Sequence, residues 1–257
     1  MKRVIFNCKG GVGKSSIAAN LAAISAARGF KTLVLDLDAQ CNTTQYLLGE
    51  DVLPEKANIA AFFEQYLSFK LLMDNPLDFV TPTPWENLSV VAASPKLGEL
   101  QHRLEIKYKI YKLRDAVRRY AETFDHIYFD TPPALNFYTL SALIASDSCL
   151  IPFDCDRFSR RALHSLLESV AEIRADHNEN LSVEGIVVNQ FMAGANLPKR
   201  MVAEMQEQDL PILKTLIPAS VKMRESHERC QPLIHLFPKH KLTLALISLY
   251  DEIHQSH

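Results

Sequence analysis

Five neighbouring residues of this chain have the types and spacing needed to hold a phosphate group. Three of the chain's eight glycines, Gly10, Gly11 and Gly13, lie within four positions, and Lys14 and Ser15 follow them directly. Glycines let backbone N–H groups approach phosphate oxygens closely, with the positive end of a following helix behind them. Lys14 can then reach the β- and γ-phosphates, and the Ser15 hydroxyl can ligate Mg²⁺. The spacing predicts a nucleotide-binding loop; a chance glycine-rich turn is the alternative.

Acidic side chains end two of the predicted strands. Asp36 and Asp38 close the apolar run 32–36, and Asp130 follows the run 126–129. Carboxylates at the carboxyl ends of parallel strands face the ligand crevice, and strand alternation predicts that Asp36 and Asp38 point the same way, toward the loop. An apolar strand ending in an acid is also the general Walker B pattern, in which the acid holds Mg²⁺ through water. Helix capping by Asp38 and turn formation by Asp130 are the alternatives.

A side-chain amide ends a further predicted strand, 183–189. Asn189 can both donate to and accept from the edge of an adenine base. It could equally satisfy polar groups of the loop backbone, which is a common use of asparagine. Both interpretations stay open from the residue type alone.

The elements around these residues predict an α/β protein. A strand, the glycine loop, a helix and a second strand form a βαβ unit with a right-handed crossover. We expect a doubly wound, mostly parallel sheet with helices on both faces, and one domain over residues 1–257, because no glycine- or serine-rich linker divides the chain. The predicted strands are 4–6, 32–36, 88–92, 126–129, 149–152, 183–189 and 212–217, and the predicted helices are 15–28, 59–69, 111–123, 161–174, 197–208 and 241–255.

Composition narrows the functional classes. The 257 residues are 47% hydrophobic and carry a formal charge of -2, which excludes a whole-surface attraction to nucleic acid but leaves room for a local basic patch. No apolar run reaches the roughly 18 residues of a membrane span. Five cysteines without a CxxC pair indicate reduced thiols in the cytosol. The nine histidines show no zinc-ligand spacing, and the first residues lack the pattern of a signal peptide.

Several segments together resemble the ParA/MinD family of P-loop ATPases, which carries a "deviant" Walker A box. Residues 9–16, KGGVGKSS, match that box, with Cys8 where the general Walker A pattern has glycine. Residues 36–42 resemble the family's D-x-D-P-Q-x-N stretch, with Ala39 at the proline position. The DTPP segment from Asp130, the strand ending at Asn189 and the pair Ile217-Pro218 resemble its remaining motifs. The resemblance covers nearly the whole chain and is weakest from 50 to 85.

The resemblance implies a role for each matched residue. Lys9 would reach across a dimer interface to the partner's phosphates, as an arginine finger does; the alternative is a solvated loop lysine. Asp38 would position the attacking water, while Ser15, Asp36 and Asp130 would support Mg²⁺, partly through water. The residues implied in ATP binding are Lys9, Gly10, Gly11, Val12, Gly13, Lys14, Ser15, Ser16, Asn189 and Pro218.

The chain also departs from the family pattern. Ser141 replaces a usual asparagine, residues 192–196 lack the family's D-x-R segment, and Ala219 stands where relatives carry arginine. Local clusters of basic residues remain candidates for a DNA-facing patch that neutralises phosphates without reading sequence; solvated surface charges are the alternative. These candidates are Arg157, Arg160, Arg161, Lys222 and Arg224.

By the same resemblance, the function is that of an ATP-switched dimer. ATP and Mg²⁺ would close two protomers into a sandwich that binds DNA non-specifically, and hydrolysis stimulated by a ParB-like protein or adaptor would return monomers. The cargo would be a plasmid or chromosome; positioning of a protein cluster, such as chemotaxis or flagellar machinery, is a close alternative. A MinD-like membrane regulator is disfavoured because residues 250–257 form no basic amphipathic helix, so we expect a cytoplasmic, nucleoid-associated protein with no membrane contact. A kinase-like metabolic enzyme is the third alternative.

Overall fold

The computed structural model describes residues 1–50, 52, 54–68, 72–155 and 159–255, without the side chains of 159–162 and 255. Seven strands form one sheet in the order β3-β4-β2-β5-β1-β6-β7. All paired strands are parallel except β3 and β4. The strands are β1 (Lys2–Ile5), β2 (Thr32–Asp36), β3 (Thr81–Pro82), β4 (Leu88–Val91), β5 (His126–Asp130), β6 (Ser148–Asp154) and β7 (Ser182–Asn189).

Helices cover both faces of this sheet. Along β5, Ile127 and Phe129 belong to the core under one face, whereas Tyr128 belongs to the core under the other. Because both faces are buried, the central strands β2 and β5 are apolar between their polar end residues, as parallel strands generally are. The helices are α1 (Lys14–Ala27), α2 (Asn42–Leu48), α3 (Ile59–Glu64), α4 (Leu97–Ile106), α5 (Lys112–Tyr120), α6 (Phe137–Ala145), α7 (Ser159–Asp176), α8 (Asn196–Gln206), α9 (Val221–Glu228), α10 (Leu233–Leu236) and α11 (Lys241–Gln255). The predicted doubly wound α/β fold is confirmed.

One charged pair lies inside this core. The Arg3 side chain of β1 is fully buried, and its guanidinium donates to both carboxylate oxygens of Glu184 on β7. A cation–π contact with the Tyr128 ring lies at 5.6 Å. Burial of two charges is tolerated here because each is satisfied by the other.

The predicted strand 212–217 is wrong. That segment runs along β7 but makes only single bridges, Ile186 with Ile212 and Phe191 with Pro218. The N–H groups of Lys214 and Thr215 donate instead to the Glu252 carboxylate of α11, at 2.7 and 2.9 Å. A backbone donor that bonds to a side chain cannot extend a ladder, so the segment stays irregular.

Other predicted elements differ mainly at their ends. The helix predicted at 59–69 ends at Glu64, and residues 69–71 lie outside the description. The helix predicted at 111–123 is shorter, Lys112–Tyr120, whereas that at 241–255 has the predicted bounds.

Candidate nucleotide-binding site

The glycine loop connects β1 to α1 and leaves the start of that helix open. Gly11 and Gly13 have φ angles of 78° and 91°, in the left-handed region that favours glycine. Gly13 is the N-cap of α1 and offers no capping side chain. The first backbone N–H groups of a helix have no partner within the helix. They form, with the positive helix end, a site suited to an anion.

The end of β7 fixes this loop from the other side. The Asn189 side-chain amide donates to the Val12 carbonyl at 2.8 Å, and that of Gln190 donates to the Gly11 carbonyl at 3.0 Å. A Cβ atom at Gly13 would overlap the Asn189 Nδ2 atom. Glycine at 13 is therefore required by the close approach as well as by its backbone angle.

Lys14 lies inside the loop. Its side chain is buried, and Nζ donates to the Lys9 carbonyl at 2.9 Å. Burial lowers the pKa of Lys14, while the nearby carboxylates of Asp130 and Asp38 oppose that shift. A cation held in this way can meet phosphate oxygens without reorganising the loop.

Lys9 is paired within its own chain. Its Nζ lies 2.8 and 2.7 Å from the two carboxylate oxygens of Asp154, at the end of β6. The side chains of Lys9 and Asp154 are 36% and 25% exposed. The ammonium is thus a half-exposed ion-pair partner, and its crossing to a second copy stays a prediction.

The acidic residues of the site differ in depth: Asp36 and Asp130 are buried, and Asp38 lines the cleft. β2 and β5 are aligned so that Asp36 lies beside Asp130, and both are fully buried. Asp36 accepts hydrogen bonds from the N–H and hydroxyl of Thr44, at 2.8 and 2.7 Å. Burial and the neighbouring Asp130 raise the pKa of Asp36. Asp38 lines the open cleft instead. The Leu37 N–H continues the ladder to the Asp130 carbonyl at 3.0 Å, and the shared direction of Asp36 and Asp38 stays a prediction.

Asp130 has the geometry expected of a residue near a cation. One carboxylate oxygen, Oδ2, accepts from the Thr43 hydroxyl at 2.7 Å. The other, Oδ1, is buried and has no hydrogen-bond partner within the described part of the chain. Burial raises the pKa of Asp130, and the nearby hydroxyls of Ser15 and Thr43 oppose that shift. A buried acceptor left over beside a hydroxyl fits Mg²⁺.

The described residues contain no cluster of three or more His, Cys, Asp or Glu side chains. In nucleotide sites Mg²⁺ usually takes one or two protein ligands, together with phosphates and water.

The glycine loop, Lys14, Asp38 and the end of β7 open onto one cleft of about 760 Å³. That volume is typical of a small-molecule site. The predicted residues Lys9, Val12, Asp36 and Asp130 do not line it, although all four lie beside or beneath it. The lining residues are Gly10, Gly11, Gly13, Lys14, Ser15, Ser16, Asp38, Gln40, Asn42, Pro133, Asn189, Gln190, Pro218, Ala219, Ser220, Val221, Met223, Arg224, His227 and Leu242.

Several of these residues were missed by sequence reasoning. Gln40 and Asn42 lie two and four positions after Asp38, so the acidic motif itself was a signal for them. Gln190 follows Asn189 and has a left-handed φ of 53°. His227 carries no motif at all, because α9 brings it to the cleft from the far end of the chain.

The structure divides the predicted DNA-binding residues. Arg224 lines the nucleotide cleft, and Lys222 pairs with Glu225 at 2.6 Å and lies over the Phe237 ring at 4.7 Å. Arg157 lies outside the described residues. Arg160 and Arg161 belong to α7, but their side chains are not described. A shared basic surface of these five residues therefore stays a prediction.

No helix in the described ranges combines the length and apolar character needed to cross a bilayer.

Comparison with known proteins identifies the family. A family model described as "AAA domain" matches residues 2–183. The chain is 33% identical to the chromosome partitioning protein ParA of Myxococcus xanthus over 90% of this chain and 79% of that protein. It is 31% identical to the sporulation initiation inhibitor protein Soj of Bacillus subtilis, over 97% and 96%. The fold matches the Cyanothece McdA(D38A)-ATP complex with a TM-score of 0.85, at 22% identity over 99% and 96%. By its motifs, its family model and these relatives, the chain belongs to the ParA/MinD family of P-loop ATPases.

Proposed function

We propose that this chain binds ATP with Mg²⁺ in the cleft and hydrolyses ATP as part of a nucleotide-gated dimer. The observation that carries this proposal is the buried, unpartnered Oδ1 atom of Asp130 beside Ser15, at the start of a helix whose glycine loop exposes N–H groups. Phosphate oxygens are bound by the N–H groups of the loop and by Lys14. The oxygen atoms of Ser15 and Asp130 are suited to the cation that accompanies the phosphates.

Each residue then has a chemical task. Lys14 neutralises charge on the outer phosphates, and Ser15 and Asp130 would hold Mg²⁺, whose positive charge would offset that of the phosphates. Asp38, on the open side of the cleft, orients a water for attack on the γ-phosphorus. Asn189 lies beside the loop and presents its free amide oxygen to the base.

A second copy completes the site in this proposal. Lys9 leaves Asp154, crosses the interface and meets the phosphates of the partner. A ligand shifts such an equilibrium only by binding one state better than the other. The γ-phosphate supplies that difference, because ADP lacks the group that Lys9 would contact.

The dimer binds DNA without sequence preference, and a ParB-like protein or adaptor stimulates its slow hydrolysis. We place the protein in the cytoplasm, on the nucleoid. Segregation of a plasmid or chromosome is the role that we favour, since the name of the Myxococcus xanthus relative refers to chromosome partitioning. Positioning of a protein cluster uses the same cycle with another adaptor.

Retention on DNA tests the proposal. Wild type, Lys9→Ala and Lys31→Ala are measured with ATP and with ADP over a salt series. Lys31 is the matched control, because it precedes β2 and so lies at the sheet edge opposite the loop. We expect wild type to be retained on DNA only with ATP, with retention that falls steeply as the salt concentration rises. Lys9→Ala should abolish this retention, and Lys31→Ala should leave it unchanged. Equal retention with ADP would contradict the gating. ATP-dependent flotation with anionic liposomes would favour the MinD-like alternative, and fast turnover without a partner would favour a metabolic enzyme.

A further inference from the structure

A histidine from the far end of the chain contacts the first turn of α1. The His227 Nε2 atom lies 2.9 Å from the Ser16 hydroxyl, although the two residues are 211 positions apart. Its ring stacks on Tyr46 of α2, with ring centroids 4.3 Å apart and planes 20° from parallel. Ser16 and His227 both line the nucleotide cleft.

A hydrogen-bonded framework holds His227 in place. The Tyr46 hydroxyl contacts the Ser226 hydroxyl at 2.5 Å and the Asn20 amide at 3.1 Å. Asn20 in turn accepts from the Leu233 N–H at 2.9 Å. Four helices, α1, α2, α9 and α10, thus share one network, and the imidazole has little freedom to move away from Ser16.

The direction of the Ser16–His227 hydrogen bond decides what Ser16 offers to a ligand. A hydroxyl has one proton. If Ser16 donates it to the imidazole, only oxygen lone pairs remain for the cleft, and these repel an anion. If Nε2–H donates to Ser16 instead, the hydroxyl proton is free to point at a phosphate oxygen.

We propose that His227 is a positioning residue of the nucleotide site, whose Nε2–H donates to Ser16 and so turns the Ser16 hydroxyl toward the phosphate that adjoins the nucleoside. The inference rests on the nucleotide binding proposed above. His227 shares the cleft with Pro218, which precedes α9, and with Asn189, which the proposed function assigns to the base; we therefore assign Ser16 to the phosphate nearest the nucleoside. That phosphate is common to ADP and ATP, so the effect is the same for both.

Charges around the imidazole add a pH dependence. Burial lowers the pKa of His227, which keeps the ring neutral at pH 7 in the free protein. The charged residues that line the same cleft are Lys14 of α1, Asp38 after β2 and Arg224 of α9. The Tyr46 ring of α2 lies against the imidazole, and Glu225 and Glu228 are its acidic neighbours in the sequence of α9. A bound phosphate favours the imidazolium, so binding takes up a proton and affinity rises as the pH falls.

Calorimetric titration with ADP and with ATP, at about pH 6 and about pH 8, tests the inference. We expect His227→Ala to weaken the binding of both nucleotides by the same factor, about 10- to 150-fold, which is the range for a hydrogen bond to a charged group. His227→Gln keeps an N–H donor and recovers part of that loss. The His227→Ala/Ser16→Ala pair should bind no more weakly than the weaker single variant, because both changes remove one interaction. The terminal phosphates of ADP and ATP also titrate in this range, so each variant is compared with wild type, and only the variants that lack His227 should lose the part of the pH dependence that this ring contributes.

His235→Ala is the matched control. This histidine stacks on Trp85 at 4.4 Å and does not line the cleft, so wild-type affinity is expected. Equal affinity of His227→Ala and wild type at both pH values would overturn the inference, as would a loss confined to ATP or independent losses at Ser16 and His227. Thermal unfolding without nucleotide shows whether each variant is folded, and His227→Gln carries the test if His227→Ala is not. If wild type binds neither nucleotide, or Lys14→Ala binds both as wild type does, the proposed function itself fails.

Discussion

Gly13→Ala tests the construction of the loop. At a φ of 91° an L-residue is strained by about 1–2 kcal/mol. The new Cβ also displaces the Asn189 amide, which breaks its hydrogen bond to Val12 and costs about 0.5–1.5 kcal/mol. The sum, about 1.5–3.5 kcal/mol, corresponds to a loss of roughly 10- to 400-fold in nucleotide affinity if the folded loop relaxes. If the loop keeps its shape, the same cost is taken from the free energy of unfolding.

Calorimetry measures the loss of nucleotide affinity, and urea unfolding measures the loss of stability. The two losses together should equal the predicted cost. Adding Asn189→Ala removes the overlap but leaves the backbone strain, so the double variant should lose less than the sum of the two single changes. Gly98→Ala is the matched control, because Gly98 lies in α4 with nothing within 4 Å of a new Cβ; we expect it to be stabilised by about 0.4–1 kcal/mol. Wild-type affinity together with wild-type stability in Gly13→Ala would refute the reasoning.

Three further predictions concern charges. Asp154→Asn removes from Lys9 a half-exposed ion pair that is worth about 0.2–1 kcal/mol per protomer. The ATP-dependent dimer, measured by sedimentation, should therefore bind about 2- to 30-fold more tightly. A weaker or unchanged dimer would argue against the crossing of Lys9. Burial lowers the pKa of His126 from 6.5 to about 4, so the contribution of the neutral ring to the free energy of unfolding is complete above pH 6.5. It is lost as the pH falls toward 4, by roughly 1–3 kcal/mol for this partly buried ring. The unfolding free energy of His126→Gln, measured in urea, should change less with pH than that of wild type, and an equal pH dependence would contradict this. Arg3→Met removes the guanidinium that faces the buried Glu184 carboxylate and should cost about 3–5 kcal/mol of unfolding free energy. Glu184→Leu in the same chain should restore most of that cost, and failure to do so would show that Arg3 acts through packing instead.

The parts predictable from sequence depend on short-range patterns. The loop from Gly10 to Ser15 follows from glycine spacing between a strand and a helix, and Asp130 follows from an apolar strand ending in an acid. The structure places Asp130 beneath the loop because parallel strands bring their carboxyl ends to one edge of the sheet. The sequence did not show that Asp36 is buried beside Asp130 while Asp38 lines the cleft, because that difference depends on how β2 and β5 align.

Contacts between distant segments account for the rest. Residues 212–217 have the composition of a strand, but Glu252 of α11 takes two of their backbone donors. His227 reaches Ser16 only because α9 packs against α2 through Tyr46 and Ser226. Neither contact leaves a local pattern, because each partner lies in another part of the chain. Such contacts appear only when the fold is assembled.

Sedimentation of wild type and Lys9→Ala with ATP tests the central claim most directly. We predict that wild type forms a dimer with ATP and a monomer with ADP, while Lys9→Ala binds ATP through Lys14 and the loop but remains monomeric. Calorimetry on the same samples separates loss of the dimer from loss of nucleotide. A Lys9→Ala protein that dimerises with ATP as well as wild type would show that no charge crosses between the two copies at this position.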